Sequence, residues 1–317
     1  MGVFQLSSRR PQIALPNYSC AFNALCVLPG PKGVQHWSKS YPFCGGVFQS
    51  PIDLQTPLLQ YDPSLVPIEV HNYDLLAHEQ LTLGNSGHAV KLSIALFTHV
   101  CLSTVKLYLP SKMYILGLPN RYSAVELHVH WGSPNTPAGS EHTIDGKRFA
   151  AELHVVHFNS KKYSNVSVAA DKSDGLAVLA VLIEVGEFNP AFDQLLKFIN
   201  DQKVQVPAFN IRHLLPLRLD QYYRYDGSLT TPPCYPSVLW TVFRNPITIS
   251  HTQVLCLQGA LSASFWAPHV PPPQPRDGRS TTAGTFSDEG RWEALETSNR
   301  PGHQKTAAVH VGGGGGT

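Results

Sequence analysis

Two histidines one residue apart in a strand-like run, Leu127-His128-Val129-His130-Trp131-Gly132, and a third in Glu152-Leu153-His154-Val155-Val156-His157, have the chemistry to hold a metal ion. Extended backbone turns successive side chains to opposite faces, so His128 and His130 share one face while Leu127, Val129 and Trp131 share the other. In the second run Glu152, His154 and Val156 share a face, and an antiparallel neighbour would bring His154 over the first pair. Three imidazoles around one ion leave a fourth position open, the arrangement of catalytic rather than structural zinc. A single strand histidine is ordinarily a satisfied core or surface residue. Two on one face of an apolar strand need a common partner. By alternation His157 faces away and is read as a non-ligand, and His142, in Ser140-Glu141-His142-Thr143, is assigned to the hydrogen-bonding scaffold.

The elements that position these residues are read mainly as strands. The chain has 317 residues, 43% hydrophobic and 15% charged, enough for one domain of roughly 230 to 250 residues plus appendages. Its 26 prolines and 24 glycines are spread among short β-branched and aromatic runs, which points to a mainly β fold with many turns. Strands are predicted over 81–83, 89–94, 106–109, 124–131, 149–159, 176–184 and 238–243. Helices are predicted over 190–199 and over 251–261, the second capped by Ser250. A formal net charge of +2, with no basic stripe, gives no nucleic-acid partner. No phosphate-binding glycine loop or internal repeat is evident. No run of 18 apolar residues predicts a transmembrane helix, and residues 1 to about 30 do not read as a signal peptide. The expected organisation is an atypical segment over 1–29, a single domain over 30–263 and a tail over 264–317. That tail is rich in Pro, Gly, Ser and Thr and is expected to be disordered.

Six segments in order, Gln49-Ser50-Pro51-Ile52-Asp53, Asn85-Ser86-Gly87-His88, the His128 strand, Gly139-Ser140-Glu141-His142-Thr143, the His154 strand and Gly227-Ser228-Leu229-Thr230-Thr231-Pro232-Pro233-Cys234, resemble the α-class carbonic anhydrases. Tyr41 to Gly46 and Phe149 to Glu152 resemble the extracellular branch. The resemblance implies a central, twisted, mostly antiparallel sheet with short peripheral helices. It implies a zinc enzyme that interconverts carbon dioxide and water with bicarbonate and a proton. His128, His130 and His154 would hold zinc. Thr230 and Glu141 would orient the attacking water-derived nucleophile, and His88 would shuttle protons. Val156, Val178, Leu229, Thr231, Val238 and Trp240 would bind substrate. Tyr41, Ser50 and Tyr225 would add outer hydrogen bonds, and Glu152 would orient His154. By the same resemblance Cys44 and Cys234 form a disulfide, the protein is extracellular or at the cell surface, and it forms a homodimer. Sequons at Asn17 and Asn165 are consistent with that compartment.

Four departures stand out. Residues 1–29 do not resemble the family's leader or its Trp-x-Tyr segment. About fifteen extra residues, near 93–107, follow Val90-Lys91-Leu92 and end on a second copy, Val105-Lys106-Leu107. Glu126 stands where the family pattern has Gln, and its carboxylate would accept the Nδ1 hydrogen of His128. After Ala263 the family's last strand is not recognisable. That last departure favours the alternative reading, a noncatalytic zinc-binding or interaction module left with an open sheet edge.

Overall fold

Runs of β-branched and aromatic residues build a large mixed sheet in the computed structural model, which describes residues 36–85, 105–132, 137–199, 203–262, 280–281, 285–286, 292–293 and 306–310. Its main strands are β1 (Gln80–Asn85), β2 (Val105–Tyr108), β3 (Tyr122–Trp131), β4 (Ala151–Phe158), β5 (Leu176–Val185), β6 (Lys203–Pro207), β7 (Tyr222–Gly227), β8 (Val238–Phe243) and β9 (Thr306–His310). They lie in the order β6-β1-β2-β3-β4-β5-β8-β7-β9. All neighbours in this row run antiparallel except β5 and β8, which are parallel. Four short helices, Trp37–Ser40, Val166–Ala169, Pro190–Leu196 and His251–Ser262, lie around it. The fold is therefore mainly β, as expected. The predicted strand at 89–94, His88, residues 1–35, and Cys20, Cys26 and Cys101 lie outside the described residues.

Cross-strand register explains how one sheet makes both a core and a site. Leu83, Leu107, Leu127, Val155 and Leu179 form a continuous row across β1 to β5, and all are buried. One residue along, the side chains emerge on the other face as the row Lys106, His128, His154, Ala180 and Val242. A neighbouring row on that same face runs Tyr108, Glu126, Val156, Val178, Trp240 and Tyr225. Strict alternation therefore places polar chemistry on one side and a packed apolar layer on the other.

Local signals set the helix ends. Asn189 caps the Pro190–Leu196 helix, its Oδ1 accepting from the amides of Ala191 and Phe192 at 3.0 and 3.0 Å. This helix stops three residues short of the predicted Ile199. Ser250 Oγ accepts from Gln253 N at 3.3 Å at the start of His251–Ser262.

Four outcomes differ from the sequence reading or resolve it, the first being that β6, at 203–207 where no strand is predicted, pairs antiparallel with β1. The second Val-Lys-Leu copy occupies β2, pairing with β1 and β3, so the extra length falls in the β1–β2 connection. β7 was not predicted, because Tyr222-Tyr223-Arg224-Tyr225-Asp226-Gly227 lacks an apolar alternation. Finally, β9 comes from the segment expected to be disordered. It pairs antiparallel with β7, Tyr222 opposite His310, and parallel with Gln60–Tyr61. Ladder pairing uses backbone groups that every residue carries, so composition is silent about it.

Candidate metal centre

His128 and His130 project from β3 and His154 from β4, with His154 directly opposite His128. One ligand nitrogen from each of the three rings lies within 4.8 Å of the others. His154 Nδ1 is 3.3 Å from His128 Nε2. The rings differ in access: His154 is buried, whereas the His128 and His130 side chains are 13% and 17% exposed, which leaves an approach for water and small solutes. Burial lowers the pKa of His154 to about 4, and burial with the neighbouring His154 and His128 lowers that of His130. Neutral imidazoles carry the lone pairs that a metal needs.

Two of the three rings are oriented by carboxylates. Glu152 Oε1 is 2.7 Å from His154 Nε2, which turns Nδ1 toward the cluster. Glu126 Oε1 is 3.0 Å from His128 Nδ1, which turns Nε2 the same way, and Glu126 Oε2 is 2.9 Å from Lys106 Nζ. Burial would raise the Glu126 pKa, but His128 and Lys106 bring it down to about 2. Likewise burial opposes ionisation of Glu152, but His142 and His154 hold it well below the carboxylate range.

Behind His154 a sealed chain of hydrogen bonds runs through the protein. Glu152 Oε1 also meets His142 Nδ1 at 2.6 Å, and Glu152 Oε2 accepts from His142 N at 2.7 Å. His142 Nε2 is 2.6 Å from the Tyr225 hydroxyl, which donates to Ser50 Oγ at 2.9 Å. Ser228 N donates to Ser50 Oγ at 3.0 Å, and Ser50 N donates to Ser228 Oγ at 2.9 Å. Gly227 permits this approach, because a Cβ there would lie 2.2 Å from Ser50 Oγ. His142, Glu152 and His154 are thus a second set of clustered ligand atoms, but all three are buried and committed to hydrogen bonds.

Glu141 meets the open cluster from the opposite side. Its loop is pinned by Ser140, whose Oγ donates to His142 O at 2.7 Å and accepts from Phe149 N at 2.9 Å. Glu141 Oε2 lies 3.4 Å from His130 Nε2 and 3.9 Å from His154 Nδ1. Neither Glu141 Oε2 nor His130 Nε2 makes a hydrogen bond, although both are buried. A cation between the rings would satisfy that unfilled demand, so the donor set fits a divalent metal. Burial and the nearby Glu152 raise the Glu141 pKa to about 8, while a hydrogen bond from Thr230 opposes the rise.

The wall beside the cluster is apolar. Val156, Val178 and Trp240 are cross-strand neighbours, and Val156 and Leu229 pack against the cluster that includes Val178, Val238 and Trp240. Trp240 Nε1 donates to Ser228 O at 3.1 Å, and its ring centroid lies 5.0 Å from that of His154. The Thr230–Thr231 loop is closed by Leu229 N to Tyr235 O at 3.0 Å and Cys234 N to Thr231 O at 2.9 Å. A disulfide joins Cys234 to Cys44, 190 positions away in sequence. Tyr41 lies where Trp37–Ser40 meets the 3-10 turn Pro42–Gly45. His157 faces the other side of β4, 2.6 Å from the Tyr73 hydroxyl.

Residues 32–270 match the family model of eukaryotic-type carbonic anhydrase. The chain belongs to this family. It is 53% identical over 253 residues to carbonic anhydrase 12 of Homo sapiens, covering 78% of this chain and 66% of that relative. It is 38% identical over 262 residues to carbonic anhydrase 1 of Mus musculus, covering 79% and 95%. It is 39% identical over 267 residues to carbonic anhydrase 15 of Mus musculus, covering 79% of each. For a carbonic anhydrase the sequence reading missed Ser228, which bridges Ser50 and Trp240, and Lys106, which meets Glu126. Lys106 lies in the predicted strand 106–109, but only the observed register, Lys106 opposite His128 and Tyr108 opposite Glu126, sets it in diagonal reach of Glu126.

Proposed function

We propose that this chain catalyses the reversible hydration of carbon dioxide to bicarbonate and a proton, with zinc held by His128, His130 and His154. The observation that carries the reading is the convergence of three imidazoles, two of them part-accessible, and the unpaired Glu141 Oε2 beside an apolar wall. Zinc bound there supplies a Lewis acid that makes water nucleophilic at neutral pH. The Thr230 hydroxyl donates a hydrogen bond to the Glu141 carboxyl, so its oxygen is left to accept from the nucleophile and fix the lone pair that attacks. Val156, Val178, Leu229, Val238 and Trp240 offer carbon dioxide an apolar seat, and Thr231 joins them in binding substrate. Glu126 and Glu152 hold His128 and His154 in the tautomers that face the ion. His88 relays the released proton to buffer. The site takes small-molecule substrates, and the disulfide suits an extracellular or cell-surface setting. Among the described residues no helix is long and apolar enough to cross a membrane.

The open sheet edge behind the noncatalytic alternative is occupied by β9, which removes that reading's support. The test is zinc content and carbon dioxide hydration measured on one purified sample. Stoichiometric zinc with hydration faster than buffer is expected. Zinc without hydration would overturn the enzymatic reading, and no zinc would overturn the ligand set.

A further inference from the structure

We propose that Lys106 is a positioning residue for the metal centre: its ammonium holds the Glu126 carboxylate where that group accepts the Nδ1 hydrogen of His128, so that His128 presents a bare Nε2 to the ion. The inference deepens the zinc reading above and rests on it.

Three features of the molecule converge on this role. Sheet register sets Lys106 on β2 directly opposite His128 on β3, with Glu126 two residues before His128 on the same face. The carboxylate divides its two oxygens between them, Oε1 at 3.0 Å from His128 Nδ1 and Oε2 at 2.9 Å from Lys106 Nζ. The pair is also sheltered, with Lys106 and Glu126 side chains 20% and 9% exposed. A neutral amide at position 126 would accept from Nδ1 through its carbonyl and need no counter-charge. A buried carboxylate does need one, because an unpaired charge out of water is strongly disfavoured and would turn toward solvent. Carrying Glu at 126 therefore makes the ligand's orientation depend on a cation from the adjacent strand. Of the two Val-Lys-Leu copies, it is the second whose lysine reaches that place.

The experiment has two readouts. In metal-free protein, nitrogen NMR should show His128 as the Nδ1-protonated tautomer, and Lys106→Met should give a mixture of tautomers. In zinc competition against a chelator, Lys106→Met should weaken binding about tenfold, the low end for losing an outer partner of a metal ligand. Removing a positive charge near a dication would by itself tighten binding, so a fall reports lost positioning. Lys106→Arg should restore both readouts, and Lys106→Met placed on Glu126→Gln should add no further loss, since the amide needs no ion pair. Lys106→Gln, which keeps a polar end group, is the second variant should Lys106→Met not fold, and should behave as it does. An unchanged tautomer with unchanged affinity would overturn the proposal, as would an equal loss on Glu126→Gln. Wild-type protein that binds no zinc would overturn the proposed function, and the tautomer in metal-free protein would still decide the role of Lys106.

Discussion

The two faces of β4 put the same ten ångströms or so of strand to opposite uses. Leu153 and Val155 enter a close-packed layer with Leu127, Val129 and Leu179, where the requirement is volume. Glu152 and His154 enter the other face, where Glu152 is fixed between His142 and His154, and His154 turns its remaining nitrogen toward His128 and the open cluster. A one-residue slip in register would exchange a core for a metal site, so the apolar row protects the chemistry on the other side.

The largest expected effect breaks the polar face alone. His154→Ala should abolish stoichiometric zinc, lowering affinity by well over the ~100-fold that outer partners can cost. Elemental analysis checks it, and retained zinc would exclude His154 as a ligand. Its neighbour gives the contrast: Leu153→Ala should cost about 2–5 kcal/mol in urea unfolding by leaving a cavity, yet the folded protein should still hold one zinc. Thr230→Ala should lower the hydration rate by about 2–4 kcal/mol of barrier, the size of losing one positioned polar group, without releasing zinc. Stopped-flow hydration with metal analysis would show whether both halves of that statement hold.

The smallest effect concerns pH and the packed face. Burial lowers the pKa of His157 to about 4 from its ordinary 6.5. As pH falls, the unfolded chain therefore takes up this proton before the folded one does, so stability is lost between about pH 6.5 and 4, by at most ~1.4 kcal/mol per pH unit. Urea midpoints at pH 7 and pH 5 should converge in His157→Gln relative to wild type; an undiminished decline would show that His157 does not drive it.

How much was legible in the sequence follows from what kind of interaction each part uses. Period-two alternation set His128, His130 and His154 on facing strands, because side-chain direction is a local property. β7 was invisible, since its polar and aromatic run is stabilised by pairing with β8 and by Ser50, 175 residues from Tyr225. β9 was invisible because edge pairing is a backbone matter. The Glu126 substitution was visible and its bond to His128 was anticipated, but the Lys106 pair required knowing which Val-Lys-Leu copy enters the sheet.

That repeat has a consequence for editing the chain. Excising 90–104 or excising 93–107 yields the same polypeptide, with His88-Ala89-Val-Lys-Leu running straight into Tyr108. Asn85 and Val105 are paired across the connection, so in a shortened chain residues 86–89 alone would link the two strands. Its hairpin would close a connection roughly two doublings shorter, worth about 0.6 kcal/mol each in closure entropy. The duplication thus makes the strand a sequence that can be spliced without a seam.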